Sequence, residues 1–419
     1  MEVTRLVRPT PANASAERWS YLTNAMYPNG LTGVEAYQFL VLTQLAAPIY
    51  SGFVTGAEAG GIIHAFSKEG GRGKTTAIQR GLTALGNIDT YTQSASTSLT
   101  SLSVRQAGLS AFAIYVDEVT SLKDDKFAPF AYQSSAGKEK DRSEQGGGIL
   151  RENDKSWKSY TLTSANKSLV ETINAHDAHM AASAYRVLEL SVPDMVWEVS
   201  QDIKDMMREH ATSDDGAIAP IWFPHIVQHA SRIRRDISGI VTRLKAFAKT
   251  NQADRFRINM AASVLAAGYE AVAKGIVSFD MVAVEKYIFG VLADESIERK
   301  NEVDPAETAF ADFIAENAGN FVVCRGQEGN PVFDVPPREV VGRIDSGKST
   351  ICIGKVAFQK FCAAKGIAHK ALITKHKKSG GLAVTKVRLL AGTGKDAGQS
   401  YVVMIHTKHA SWGEGFKTE

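Results

Sequence analysis

The segment Ser67-Lys68-Glu69-Gly70-Gly71-Arg72-Gly73-Lys74-Thr75-Thr76 ends in glycines followed by Lys74 and two threonines, at the spacing that grips a triphosphate. It comes after an apolar run, Gly61 to Phe66, and precedes an amphipathic stretch, Thr76 to Leu85. Strand, glycine loop and helix in that order make a P-loop. Gly70, Gly71, Arg72 and Gly73 would curl the backbone so that successive N–H groups face phosphate oxygens, and Thr76 would sit in the helix's first turn. Lys74 would reach the β/γ-phosphates of ATP, and the Thr75 hydroxyl would sit on Mg²⁺. Lys68 stands where the consensus has its first glycine.

A second chemical signal lies downstream. Ala111-Phe112-Ala113-Ile114-Tyr115-Val116-Asp117-Glu118 is an apolar strand ending in two carboxylates. Asp117 would hold the metal, and Glu118 would orient and deprotonate the attacking water. Tyr160 to Asn166 is another strand with a polar end, and the Asn166 amide can both donate and accept at a γ-phosphate. Between these strands runs Ser134 to Arg142, then Gly146-Gly147-Gly148. Arg142, Lys138 and Lys140 are candidates to complete a neighbouring subunit's site, or to contact a nucleic-acid backbone. Arg186, at the start of a further strand, is a second candidate for a γ-phosphate sensor or finger.

Gly342-Arg343-Ile344-Asp345-Ser346-Gly347-Lys348-Ser349 also satisfies the P-loop consensus. The residues after it, Thr350-Ile351-Cys352-Ile353, are β-branched and read as a strand where a helix is required. This stretch is therefore expected to be a hairpin turn.

These residues need a sheet to align them. Strands are expected at Ile62–Phe66, Ile88–Thr92, Ala111–Val116, Tyr160–Ser164 and Tyr185–Leu190, alternating with helices, which argues for a mostly parallel sheet. The organisation expected is an N-terminal helical region over 1–57, an ATPase core over 58–195, a helical domain over 196–318 and a basic C-terminal domain over 319–419. In the first region Ser15 to Trp19 reads as a cap and first turn, and Val34 to Leu45 as helix. The C-terminal region mixes a helix around Phe358 with strands at Val384–Leu389 and Tyr401–Ile405, an α+β pattern that suits a winged-helix module.

The composition is that of a soluble globular chain, 44% hydrophobic and 22% charged over 419 residues. No apolar stretch is long enough to span a membrane, and the N-terminus lacks a signal core. Cys324, Cys352 and Cys362 are too few and too poorly spaced for a disulfide framework or a zinc site, so reduced thiols and a cytoplasmic setting are expected. Charge is uneven. From Phe321 onward there are 16 Lys and Arg against 7 Asp and Glu, while the rest of the chain has 32 against 38. Such asymmetry points the C-terminal region at a polyanion, with Lys375, Lys377, Lys378, Lys386 and Arg388 as contact candidates.

Taken together, HxFxxxGGRGKTT, a Ser/Thr-rich helix over Ser94–Leu102, YVDEV, AYQSSAGKEKDR, SWKSYTLTSANKSL and YRVLELSVP resemble the helicase-type domain of prophages and mobile elements known as domain of unknown function 927. That group is related to superfamily 3 and poxvirus-type primase–helicases. The resemblance covers about residues 20–195. It implies an AAA+-like P-loop NTPase ring, a hexamer in the family's manner, that moves along single-stranded or forked DNA during replication of a mobile element. It carries Lys74 and Thr75 over as nucleotide and Mg²⁺ ligands, Asp117 and Glu118 as the acidic pair, and Asn166 as the sensor. Some members carry a primase ahead of the helicase. This chain has no room for one, which implies a helicase-only form or a C-terminal fragment, with any primase separate. Two further readings share the loop: a DNA-binding ATPase that initiates or loads without unwinding, and a small-molecule kinase. The paired acids, the helical extension and the basic tail speak against the kinase.

Overall fold

The computed structural model describes residues 12–54, 60–119, 122, 126–138, 155–176, 181–195, 197–210, 213–248, 254–301, 305–325, 332–335, 339–365, 367, 369–378, 380–391, 393 and 398–407. The chain forms two compact units, Met1–Arg299 and Lys300–Glu419.

The first unit opens with helices α1 (Ala12–Met26) and α2 (Val34–Phe53). Then come β1 (Ile62–Phe66), α3 (Lys74–Thr83), α4 (Ile88–Tyr91), β2 (Thr92–Ser94), α5 (Leu99–Leu109), β3 (Ile114–Asp117), α6 (Phe127–Ala136), β4 (Thr161–Ala165), α7 (Leu169–His176), α8 (Ala181–Ala184) and β5 (Val187–Ser191). Beyond the sheet lie α9 (Gln201–Glu209), α10 (Ala219–Gln228), α11 (Ala230–Ala248), α12 (Arg255–Ala273) and α13 (Met281–Asn301). The strands pair in the order β2-β3-β4-β1-β5, all parallel. Parallel strands run their C-terminal ends to one edge, which is where such sheets take ligands. The α/β class expected from the sequence is the one found.

Three local expectations differ. Ile88–Tyr91 is a helical turn rather than strand, because the Asn87 side chain accepts the Asp89 N–H at 2.8 Å and caps it. The strand begins only at Thr92. The Ser/Thr-rich helix starts at Leu99, capped by Ser98, while the Ser94 and Ser96 hydroxyls bond each other at 2.8 Å in the preceding turn. Short hydroxyl side chains compete with helical backbone bonds in this way. Ser15 lies inside α1, not at its start.

α2 is buried along most of its length and lies between α3 and α12. Both contacts rest on glycine. A Cβ on Gly81 of α3 would come within 2.5 Å of the Val41 carbonyl, and one on Gly268 of α12 within 2.8 Å of Leu42 Cδ1. Pro48 deprives α2 of an N–H. Near that break the Thr43 carbonyl accepts from the Tyr160 hydroxyl at 2.5 Å, and the Leu45 carbonyl from the Trp222 indole at 2.9 Å. From the other side, the buried Arg80 guanidinium of α3 donates to the Trp19 carbonyl at 2.7 Å and Thr23 Oγ1 at 2.8 Å. The helix that carries Lys74 is thus fastened to both N-terminal helices.

The second unit holds α14 (Pro305–Glu316), β6 (Phe321–Arg325), β7 (Val332–Asp334), β8 (Gly342–Asp345), β9 (Thr350–Gly354), α15 (Lys355–Ala364), α16 (His369–Lys378), β10 (Leu382–Val387) and β11 (Ser400–His406). Its sheet runs β10-β11-β9-β8-β6-β7, with only β6–β8 parallel. Phe310, Phe313, Phe358 and Cys362 pack the helices against Phe321, Ile351, Ile353, Val403 and Ile405. The expected terminal hairpin is present as β10–β11. It belongs to this six-stranded sheet and is not the wing of a small helical bundle, because β6, β8 and β9 extend it. Gly342–Asp345 and Thr350–Gly354 are antiparallel neighbours, so the second consensus match is a hairpin turn. All three cysteines are buried free thiols. No helix among the described residues is long and apolar enough to cross a membrane.

Candidate nucleotide-binding site

β1 ends at Phe66, and the chain turns through Ser67–Gly73 into α3. Gly71 (φ 74°) and Gly73 (φ 79°) lie in the left-handed region, which a side chain would strain. The loop is held from outside. The Tyr37 hydroxyl of α2 lies 2.5 Å from the Arg72 carbonyl and 2.8 Å from the Pro193 carbonyl just after β5. Arg72 pairs with Glu69 and, at 3.1 Å, with Asp194.

Lys74 is only 6% exposed although it is a lysine. Its ammonium donates to Ser67 Oγ and reaches Asn166 Oδ1 at 3.3 Å, so it folds back over the loop that precedes it. Burial lowers its pKa, and the carboxylates of Glu118 and Asp117 oppose that shift. Asn166 belongs to the turn after β4, the strand between β1 and β3. His64, buried on β1, orders this turn: its Nε2 donates to the Lys167 carbonyl at 3.0 Å, and its Nδ1 accepts from Thr163 Oγ1 at 2.7 Å. Burial pulls its pKa down to about 4, so the ring is neutral at pH 7.

Asp117 closes β3. Its Oδ1 accepts from the Tyr115 hydroxyl at 2.5 Å, from Ser164 Oγ at 2.7 Å and from the Glu118 N–H at 3.0 Å, and it lies 3.5 Å from Thr75 Oγ1. Tyr115 OH is itself 2.7 Å from Ser164 Oγ and 3.3 Å from Thr75 Oγ1. Burial, then the bond to Asp117, raises the Tyr115 pKa, so the phenol remains a donor. Glu118 is exposed and sits at φ 50°, a left-handed conformation that costs a non-glycine residue roughly 1–3 kcal/mol. The strand thus ends with one carboxylate held and the next turned out to solvent.

Of the residues expected at the site, Lys74, Thr75, Asp117, Glu118 and Asn166 come together at the C-terminal edge of the sheet, beside Gly70, Gly71, Arg72, Gly73 and the first-turn Thr76. Arg186 does not. It precedes β5, and in register its neighbour Val187 pairs with Ile62 at the start of β1. It lies at the opposite strand end from Lys74, donates to Ser135 Oγ at 2.8 Å and stacks 4.5 Å over the Tyr132 ring. A sensor role within its own chain does not fit that position, since a guanidinium acts on phosphate only by contact. Lys140 and Arg142 lie outside the described residues, as does the side chain of Lys375. Lys138 is exposed and bridges to Ser156. Lys377 and Lys378 end α16, Lys386 is on β10, and Arg388 lies just past it; all four are exposed.

Four residues of the site escape a reading of the sequence: Tyr115, Ser164, Ser67 and Tyr37. Tyr115 has a legible signal, since residues two apart on a strand share a face. Ser164 has none, because its place depends on how β3 and β4 align.

The site fits a magnesium–nucleotide. Glycines with positive φ and the start of α3 offer backbone N–H groups to phosphate, and a buried ammonium supplies the cation. Hydroxyl and carboxylate oxygens 3.5 Å apart, Thr75 Oγ1 and Asp117 Oδ1, are the hard donors Mg²⁺ prefers.

A parallel α/β sheet with a glycine loop at one edge is the class that this geometry defines. Residues 19–155 match the family model described as Domain of unknown function (DUF927), a stretch that includes the loop and the acid pair. The chain is similar in fold to SCCmec type IV Cch, a solved structure titled "active helicase", with 15% identity and a TM-score of 0.61 over 94% of this chain and 71% of that one. No curated protein matches.

Proposed function

We propose that this chain is an ATP-dependent motor on DNA, a helicase or translocase serving replication of a mobile element. The observation that carries the proposal is the alignment of Lys74, Thr75 and Asp117 on one sheet edge, with the Asp117 carboxylate held 3.5 Å from the Thr75 hydroxyl. The DUF927 match and the fold likeness to a protein titled as an active helicase support it.

ATP would lie along the loop, its phosphates facing the amides of Gly70–Gly73 and the Lys74 ammonium. Mg²⁺ would be held by Thr75 and Asp117 and would neutralise charge on the phosphates. Tyr115 and Ser164 keep Asp117 aimed. Glu118, which touches that network only through its backbone N–H and keeps its carboxylate exposed, would orient water and take its proton. Asn166, within 3.3 Å of the ammonium, would report the γ-phosphate to the turn that His64 orders. A ring of subunits, sixfold in the likeness of related motors, would let a cation from one chain complete the site of the next. Arg142, Lys138 or Lys140 would serve there.

ATP turnover with and without single-stranded DNA, then strand displacement on a forked duplex, tests this function. A motor shows DNA-stimulated turnover and displaces the strand. Turnover with DNA binding but no displacement makes the chain a loader or initiator. Turnover indifferent to DNA would refute both.

A further inference from the structure

We propose that Tyr401 is a stacking platform for a base of single-stranded nucleic acid, with Lys355 and Lys386 holding the neighbouring phosphates. This rests on the nucleic-acid reading above and assigns it a contact surface.

β11 alternates. Val403 and Ile405 are fully buried against the helices, yet Tyr401, next on the same face, is 57% exposed. Its antiparallel partner is Lys386, so the two side chains share that face. The Lys386 ammonium lies 4.9 Å from the Tyr401 ring centroid, and the Lys355 ammonium, at the start of α15, lies 6.0 Å away. Lys386 is exposed. Both ammoniums lie over the ring, and because lysine stems are flexible they can swing from it to phosphates as a base takes the ring face, so the site recognises two things at once: a flat π surface and negative charge. The region from Phe321 onward carries a surplus of nine positive charges, so its long-range field draws a polyanion to this ring.

A single strand is the occupant that offers both. Its bases expose their faces and stack on aromatic rings without regard to sequence, and its phosphates recur on either side. Duplex DNA hides its base faces and would meet only the lysines. An acidic peptide would supply charge without the flat partner.

The test uses the full chain and a short fluorescent oligothymidylate, with binding read by anisotropy across a salt series, and the same sequence as a duplex in parallel. Tyr401→Ala should weaken single-strand binding about 5- to 100-fold, the range set by one lost base stack. Its salt dependence should stay that of the parent. Tyr401→Phe, which keeps the ring, should bind as the parent does. Lys386→Ala should instead flatten the logarithmic salt slope by about one. Duplex binding should respond to Lys386→Ala and not to Tyr401→Ala. If Tyr401→Ala binds the single strand like the parent while Lys386→Ala weakens it, the platform is wrong and the nucleic-acid reading stands. If the parent itself binds no oligothymidylate at low salt, both fall.

Discussion

Gly73-Lys74-Thr75 and Gly347-Lys348-Ser349 differ by one hydroxyl residue, yet the backbone treats them in opposite ways. After the first, the chain enters α3, and Lys74 is buried against Ser67 and Asn166. After the second, the chain reverses into β9 and Lys348 is exposed. The next four residues are part of the reason: Thr76-Ala77-Ile78-Gln79 continues a helix, whereas Thr350-Ile351-Cys352-Ile353 is a β-branched run that prefers a strand. The other part is an internal competitor. The Asp345 carboxylate accepts the Lys348 N–H at 3.1 Å, so an anion of the chain already occupies the amide that a phosphate would seek. A glycine–lysine motif becomes a candidate anion site only where its amides and its lysine converge on open space at a sheet edge.

The strongest way to break this contrast is to remove each lysine in turn. Lys74→Ala should reduce ATP turnover by about 100-fold or more, as expected for loss of a cation that touches the reacting phosphates, while Lys348→Ala should leave it within error. Equal losses at both positions would end the distinction. Next in size is Glu118→Gln, which should slow turnover about 10²- to 10⁴-fold with nucleotide still bound, because water loses its base. Binding of a fluorescent ATP analogue alongside steady-state turnover reads both quantities, and turnover at the parental rate would remove Glu118 from the chemistry. Tyr115→Phe should act more gently and through the metal: the Mg²⁺ concentration for half-maximal turnover should rise about 10- to 100-fold, the usual cost of losing an outer hydrogen bond to a ligand. A fall in maximal rate with no change in Mg²⁺ requirement would contradict that role.

The last effect is on stability rather than turnover and concerns His64, which lies on the strand that feeds the first loop and has no counterpart in the hairpin. Its folded pKa is lowered from 6.5 to about 4. A lowered histidine pKa means that the unfolded chain binds the proton first. Its contribution is therefore fully present above about pH 6.5 and lost as pH falls towards 4. The amount at stake is on the order of 2–4 kcal/mol. Urea unfolding of the parent and of His64→Asn at several pH values should show a shallower acid loss in the variant, and parallel curves would exclude His64 as the cause.

Much of this molecule is legible in its sequence, and the exceptions have physical causes. β1 is readable to its residue bounds because an apolar run stops short of glycines on both sides. α4 reads as strand because Ile88 and Tyr91 suit one, and the capping Asn87 outweighs them in the folded chain. The convergence of Lys74 with Asn166 comes from strand ends in a parallel sheet. The same logic sets Arg186 apart, since it precedes its strand. Ser164 is beyond reach: it meets Asp117 across 47 residues of chain, through a register that exists only once the sheet has formed.

One phenol links the loop to the segment beyond the sheet. Tyr37 has a single proton and two carbonyls within reach, that of Arg72 in the loop and that of Pro193 on the way out to the helical segment. It cannot donate fully to both. The two carbonyls therefore compete for one hydrogen, and that single donor ties the glycine turn to the backbone leaving the sheet.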